Sequence, residues 1–221
     1  MTKIKICGIT KAAETAYLNA AGVDYAGFVF YEKSRRNVSI EKAKELMGWL
    51  DASIQKVAVT VSADAAQALA LQEAGFDVLQ IHGQLRQETL QAVEIPVWYA
   101  VNIADPNELE EKSGMLLALP EALQNKITAI VVDNASYGSG QTFDWNRIAL
   151  REQNKALFRK RMFILAGGLC ADNVRDGIRW FAPDVVDVSS GVEGQDGKDG
   201  TKITQFCNCV RTIEEKGEND E

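Results

Sequence analysis

Short runs of Val, Ile, Leu and Ala recur along the chain, and most give way to a stretch whose apolar positions are spaced three or four apart. The runs lack a sustained apolar–polar alternation. A strand covered on both faces reads that way, as in a parallel sheet flanked by helices. The pattern predicts strands at Lys3–Cys7, Tyr25–Phe30, Gln55–Val61, Val78–Ile81, Val97–Val101, Thr128–Asp133, Met162–Ala166 and Val185–Val188. It predicts helices at Lys11–Ala21, Ile40–Leu50, Ala63–Ala74, Leu85–Val93 and Asp172–Trp180, one opening at Trp145–Arg151, and a last one at about Thr201–Ile213.

Local signals agree with these bounds. Gly22 and Gly75 stand where a helix closes through a left-handed residue. Ser39 is an expected N-cap, although Lys42 stands where a full capping box wants Glu or Gln. Asp144 is a second expected N-cap. The segment Ile103–Lys126 holds Pro106, Gly114 and Pro120, so only short helical pieces are expected there.

Strand then helix, eight times in 221 residues, predicts a compact α/β fold, a single (β/α)8 TIM barrel. A doubly wound open sheet would normally carry Gly-x-Gly-x-x-Gly after its first strand, and Cys7-Gly8-Ile9-Thr10 is not that turn. One barrel domain over residues 1–213 is expected, followed by an acidic, frayed tail at 214–221.

Charge narrows the partners. The chain carries 24 basic and 31 acidic residues, a net −7, and Arg35-Arg36 is its one adjacent arginine pair. That is no footprint for a nucleic-acid backbone. No apolar run is long enough to cross a bilayer and the start lacks a signal-peptide pattern, so no membrane partner and a cytoplasmic location are expected. One histidine, and four cysteines without Cys-x-x-Cys, predict no metal site. Cys170, Cys207 and Cys209 read as small, partly buried hydrophobes.

In a parallel barrel the carboxyl ends of all strands meet at one rim, and catalytic residues sit there. Gly167-Gly168 follows the seventh strand and Ser189-Ser190-Gly191 the eighth. These two loops commonly cradle a phosphate on backbone N–H groups, and two serines would add hydroxyl donors. Either loop, taken alone, is equally a tight turn needing glycine for positive φ. Cys7 ends the first strand just before a helix, whose dipole would lower the thiol pKa. Asp133 ends the sixth strand, across the mouth. A thiol base and a carboxylic acid on opposite sides of a sugar phosphate suit a proton transfer from carbon to oxygen. Lys5, two residues before Cys7, shares its inward face and needs a partner. Strand eight lies next to strand one in a closed barrel, which predicts a Lys5–Asp187 ion pair. Arg36, in the loop after strand two, suits a bidentate grip on a carboxylate. His82 on strand four is a second-rank site residue.

Lys5-Ile6-Cys7-Gly8-Ile9-Thr10, Gly27-Phe28-Val29-Phe30, Ser34-Arg35-Arg36-Asn37-Val38-Ser39, Gln80-Ile81-His82-Gly83, Gly138-Ser139-Gly140-Gln141-Thr142-Phe143-Asp144-Trp145, Leu165-Ala166-Gly167-Gly168-Leu169 and Val186-Asp187-Val188-Ser189-Ser190-Gly191-Val192-Glu193 run in order along the chain. Together they resemble the phosphoribosylanthranilate isomerases of tryptophan biosynthesis. The resemblance implies an Amadori rearrangement of N-(5-phosphoribosyl)anthranilate to 1-(2-carboxyphenylamino)-1-deoxyribulose 5-phosphate, with no metal and no organic cofactor. It implies Asp133 as general acid, Cys7 as general base and Arg36 on the anthranilate carboxylate. The phosphate would rest on Gly167, Gly168, Ser189, Ser190 and Gly191. The chain departs from the family at Thr60 and Ser62, where Phe and Asn are common. The rival readings are a related phosphosugar isomerase of histidine biosynthesis, which would use paired aspartates, and a catalytically silent phosphosugar-binding barrel. The expected partner is a small phosphoribosyl substrate, on a monomer or a homodimer.

Overall fold

A computed structural model describes residues 1–103, 106–134, 158 and 160–212. Eight parallel strands close into a barrel in chain order: β1 Lys3–Cys7, β2 Tyr25–Phe30, β3 Gln55–Val61, β4 Val78–His82, β5 Val97–Ile103, β6 Ile127–Asn134, β7 Met162–Leu165 and β8 Val185–Val188. Helices α1 Ala12–Ala21, α2 Ile40–Met47, α3 Ala65–Glu73, α4 Gln87–Ala92, α5 Pro106–Leu117, α6 Glu121–Gln124, α7 Val174–Phe181 and α8 Gly200–Arg211 belong to the outer layer. β1 pairs with β8 in the register Lys5↔Asp187, which closes the ring. Around that ring β6 stands three places from β1, so Cys7 and Asp133 sit on well-separated strands, while β5 is the strand diametrically opposite β1.

The expected helices shift for local reasons. α2 stops at Met47 rather than Leu50, because Trp49 and Leu50 tighten into i→i−3 bonds on Leu46 O and Met47 O. α3 begins at Ala65 because the Asp64 carboxylate caps it by accepting from Gln67 N at 2.8 Å. The segment 103–126 corrects the expectation of short pieces only. α5 is 12 residues long. Pro106 opens it, where a missing N–H costs nothing, and a Cβ at Gly114 would meet nothing within 4 Å. The Gly138–Gln141 loop, the Asp144-capped helix at Trp145–Arg151 and the tail at 214–221 lie outside the described residues.

Two apolar layers follow from strand alternation. The barrel interior holds Val57, Val59, Val78, Trp98, Ala129 and Val131, with the Tyr25 ring edge-on to Trp98 at 4.9 Å. The layer between strands and helices holds the alternate positions, such as Ile6, Phe28, Leu79, Ile130 and Phe163. Thr60 belongs to that outer face, with Ala58. It is buried and donates its hydroxyl to Gln80 O at 3.1 Å, so its departure from the family alters outer packing and not the mouth.

At the amino ends of the strands three aspartates repeat one device. Asp24, Asp77 and Asp184 stand immediately before β2, β4 and β8. Each accepts a backbone N–H from the strand before it: Ile4 N at 2.8 Å, Lys56 N at 2.7 Å and Phe163 N at 2.7 Å. These bonds pin strand register at the end remote from the rim.

Candidate active site

The rim is built outward from Lys5. Its side chain is fully buried and reaches Asp187 Oδ2 at 2.7 Å, as the shared face of strands one and eight predicts. Burial alone would pull the ammonium pKa down; the Asp187 and Cys7 charges outweigh it and hold it above its ordinary value. The second Asp187 oxygen, Oδ1, is buried without a hydrogen-bond partner. Glycine at position 27 makes room for this cluster, since a Cβ there would lie 2.9 Å from Cys7 Sγ and 3.2 Å from Lys5 Nζ.

Cys7 keeps partial exposure at the mouth. Its thiol does not behave as the helix-dipole argument predicts. Burial pushes its pKa up, and the opposing charges of Lys5 and Lys198 do not bring it back. The end of α1 beside it also has a partner of its own. Glu14 in its first turn turns back and accepts from Thr10 N at 2.6 Å and Lys11 N at 3.0 Å, so a carboxylate already neutralises the positive end of that helix.

The eighth loop is drawn tightly to the first and seventh. Ser189 Oγ donates to Cys7 O at 2.9 Å, so that hydroxyl hydrogen is committed to the protein and not to a ligand. Ser190–Val192 forms a single 3₁₀ turn. Gly191 has a steric reason of its own: a Cβ there would fall 1.9 Å from Leu169 O. Gly167 and Gly168 both take left-handed backbone, at φ 86° and 69°. The turn explanation for these glycines therefore holds, and it leaves two short loops side by side at β7 and β8.

Arg36 lies against this loop, with its stem where a Cβ on Gly8 would come within 2.4 Å of Cδ. It forms a bidentate pair with the protein's own Glu193, Nε to Oε1 at 2.6 Å and Nη2 to Oε2 at 3.0 Å. Lys198 Nζ adds a bond to Glu193 Oε1 at 2.9 Å, and bonds to Ser189 O and Oγ at 3.1 Å each. Burial pushes the Glu193 carboxyl up, but the Arg36 hydrogen bond and the Lys198 charge outweigh it and bring it down to about 2. Glu193 and Lys198 were not anticipated as site residues. The signal was present in the chain: an acidic residue, a Gly-containing turn, and a lysine five residues on, which fold as the antiparallel ribbon β9 Glu193–Gly194 and β10 Gly197–Lys198.

His82, buried at the end of β4, places Nε2 2.8 Å from Gln80 Nε2 in the barrel interior, which ties it into the wall. Beside it, Ser62 is forced into the left-handed region at φ 52° by bonds that join loops three and four, Ser62 N to His82 O and Gln84 N to Ser62 Oγ. Asp133 is half-buried on β6. Among the described residues no three His, Cys, Asp or Glu side chains gather into a metal site, and no helix is long and apolar enough to cross a membrane.

A base candidate, an acid candidate, an arginine fork and two glycine-bearing loops thus share one end of one barrel. Comparison with known proteins gives the same direction. Residues 4–209 match the family model described as N-(5'-phosphoribosyl)anthranilate (PRA) isomerase. The N-(5'-phosphoribosyl)anthranilate isomerase of Streptococcus gordonii is 39% identical over 212 residues, covering 96% of this chain and 98% of its own. A crystal structure of monomers generated from the dimeric phosphoribosylanthranilate isomerase of Thermotoga maritima superposes with a TM-score of 0.80 at 31% identity, covering 96% of this chain and all of that one (100%). A phosphoribosyl anthranilate isomerase solved with reduced 1-(o-carboxyphenylamino)-1-deoxyribulose 5-phosphate superposes with a TM-score of 0.79 at 29% identity over the same share of each chain, 96% and 100%.

Proposed function

This chain belongs to the N-(5'-phosphoribosyl)anthranilate isomerase family, an isomerase of tryptophan biosynthesis, and on that premise we propose that Asp133 and Cys7 carry the rearrangement as acid and base. One observation supports this assignment most. Cys7, Arg36 and the eighth loop form a single connected patch, through Ser189 Oγ on Cys7 O and the Lys198–Glu193–Arg36 chain. A base, a carboxylate grip and a phosphate loop so linked span the two charged ends of a phosphoribosylanthranilate with the sugar between them.

The chemistry balances as an isomerisation. Asp133 gives its proton to the ribose ring oxygen, the C1–O bond breaks, and the anilino nitrogen lone pair forms the cationic Schiff base. Cys7, as thiolate, takes the proton from C2; the resulting enolamine tautomerises to the ketone as C1 is protonated. Cys7 starts from an unfavourable place, because burial raises its pKa. A further positive charge opposes that during turnover: the Schiff base itself, which adds to Lys5 and favours a neighbouring anion. Asp133 is half-buried at the carboxyl end of β6, the end of the barrel where an acid must stand.

The remaining groups take binding roles. Arg36 holds the anthranilate carboxylate. The phosphate rests on the backbone of Gly167, Gly168, Ser189, Ser190 and Gly191, with less help from the Ser189 hydroxyl than its chemistry first implies. Asp187 accepts a substrate hydroxyl, a role that its buried, unpartnered Oδ1 supports, and His82 lines the wall. The cytoplasmic location and the monomer or homodimer stay part of this proposal; the dimeric Thermotoga maritima relative supports the homodimer.

The test is a fluorescence assay in which phosphoribosylanthranilate is generated from anthranilate and its loss is followed. Asp133→Asn and Cys7→Ala should each lower kcat by about 10² to 10⁴, the range for a positioned acid or base, with Tm near wild type. Near-normal turnover by Cys7→Ala would remove the base assignment. Turnover lost with wild type as well, while the reduced product still binds, would favour a silent binding barrel.

A further inference from the structure

Arg36 and Glu193 meet in a particular way. Glu193 takes the side edge of the guanidinium, through Nε and Nη2. A guanidinium has five N–H groups in a fixed plane, and a side-on partner uses two of them. The Nη1–Nη2 end, a second fork matched to a carboxylate, is left by this arrangement. A carboxylate acting as a competitor for substrate would instead be expected to cover that end.

Glu193 is itself immobilised. Lys198 stands opposite it in the ribbon register and bonds Oε1, Arg35 Nη2 bonds Oε2, and Lys202 Nζ holds its main-chain carbonyl at 2.7 Å. The side chains of Arg36 and Glu193 are each only 13% exposed, and that of Lys198 is fully buried. Charge is also informative. Arg35, Arg36 and Lys198 are three cations around one carboxylate. Glu193 orders them without neutralising them, and the surplus positive charge suits an anionic ligand.

We infer that Glu193, anchored by Lys198, is a positioning residue that presents the Nη1–Nη2 fork of Arg36 to the substrate carboxylate. Because Lys198 also holds Ser189, the same strut ties that fork to the phosphate loop, so the two ends of the ligand are gripped at a set separation. This rests on the reading of Arg36 as the carboxylate ligand.

The experiment measures binding of the reduced product, and of the same compound lacking the ring carboxylate, to wild type, Arg36→Met, Glu193→Gln and the double variant. Arg36→Met and Glu193→Gln should each weaken the carboxylate-bearing ligand by about tenfold, as expected for loss of an ordered charge-assisted fork. The ligand without the carboxylate should bind all four proteins within about twofold. The double variant should bind no more weakly than Arg36→Met, and Glu193→Gln should raise KM far more than it lowers kcat. If Arg36→Met changes neither ligand, the reading of Arg36 fails and the inference with it. If Arg36→Met weakens binding but Glu193→Gln does not, the inference alone is overturned. Tighter binding in Glu193→Gln would make Glu193 a competitor, and equal weakening of both ligands would make it a strut of the rim; either result overturns the proposal. Should Glu193→Gln fail to fold, Glu193→Asp, which keeps the charge but draws the carboxylate away from the guanidinium edge, should show the same ligand selectivity; its absence overturns the proposal too.

Discussion

The two ends of the barrel use the same residue type for different work. At the amino end, Asp24, Asp77 and Asp184 each accept a backbone N–H from the preceding strand. At the carboxyl end, Asp187 and Glu193 face ammonium and guanidinium groups, and Asp133 is the proposed acid. A carboxylate on a backbone N–H fixes register and is complete in itself. A carboxylate on a mobile cation positions that cation for something else. Direction along the strand therefore separates stability from chemistry more cleanly than residue type does.

The severest challenge to that division is Lys5–Asp187, which sits in the barrel interior beneath the rim and is charged on both sides. Lys5→Met leaves a buried carboxylate unpaired, and should cost about 3–5 kcal/mol of stability in urea unfolding. Lys5→Met/Asp187→Leu, which removes both charges, should recover most of that loss. Its activity then decides which end of the comparison the pair belongs to. A stable double variant without turnover makes the pair part of the chemistry, through the countercharge to Cys7 and the unpartnered Asp187 Oδ1. A stable and active one makes it a structural pair, and would break the rule that carboxylates of this end serve function.

The amino end should respond in the opposite sense. Asp24→Ala removes the acceptor of Ile4 N and leaves that donor to find water, at a cost of about 1–3 kcal/mol. For a chain of this size each kcal/mol lowers Tm by about 2–4 °C. KM and kcat should stay at wild-type values. A drop in kcat with no change in Tm would mean that register at the amino end reaches the rim.

What could be read from the chain follows the same division. All eight strands and the residues at their carboxyl ends were legible, because small, polar or ionisable residues gather where each apolar run ends. Lys5–Asp187 was legible because alternation and ring closure together give a buried lysine an acidic neighbour on the adjoining strand. The aspartates before β2, β4 and β8 were visible as a repeated Asp ahead of an apolar run, yet their bonds run to another strand, and spacing along one strand does not reveal them. α5 was obscured by Pro106, which signals a break in the interior of a helix and a start at its first position. Ser62 carried no signal, since nothing in a serine announces a φ of 52°; the Asn common in the family at that position fits left-handed backbone better. Glu193 and Lys198 needed the ribbon, a contact made only after the chain turns back. The Cys7 thiol differs from the helix-dipole expectation because its burial, which raises the pKa, comes from packing across strands and not from its place before a helix.

The smallest expected effect comes from protonation of Glu193, a rim carboxyl whose pairs are screened by water more than those inside the barrel. Its pKa is held down at about 2 in the folded chain, against an ordinary value of 4.5. A group whose folded pKa is depressed contributes stability above its unfolded value, and that contribution is lost as pH falls toward the folded one. Urea unfolding of wild type should therefore lose part of its stability between about pH 4.5 and pH 2. Glu193→Gln, with nothing to protonate there, should show a shallower decline over the same interval, and be less stable than wild type at neutral pH by the amount no longer lost in acid. An acid limb in Glu193→Gln as steep as in wild type would mean that the Arg36–Glu193–Lys198 cluster contributes no net stability, leaving orientation of Arg36 as its whole contribution.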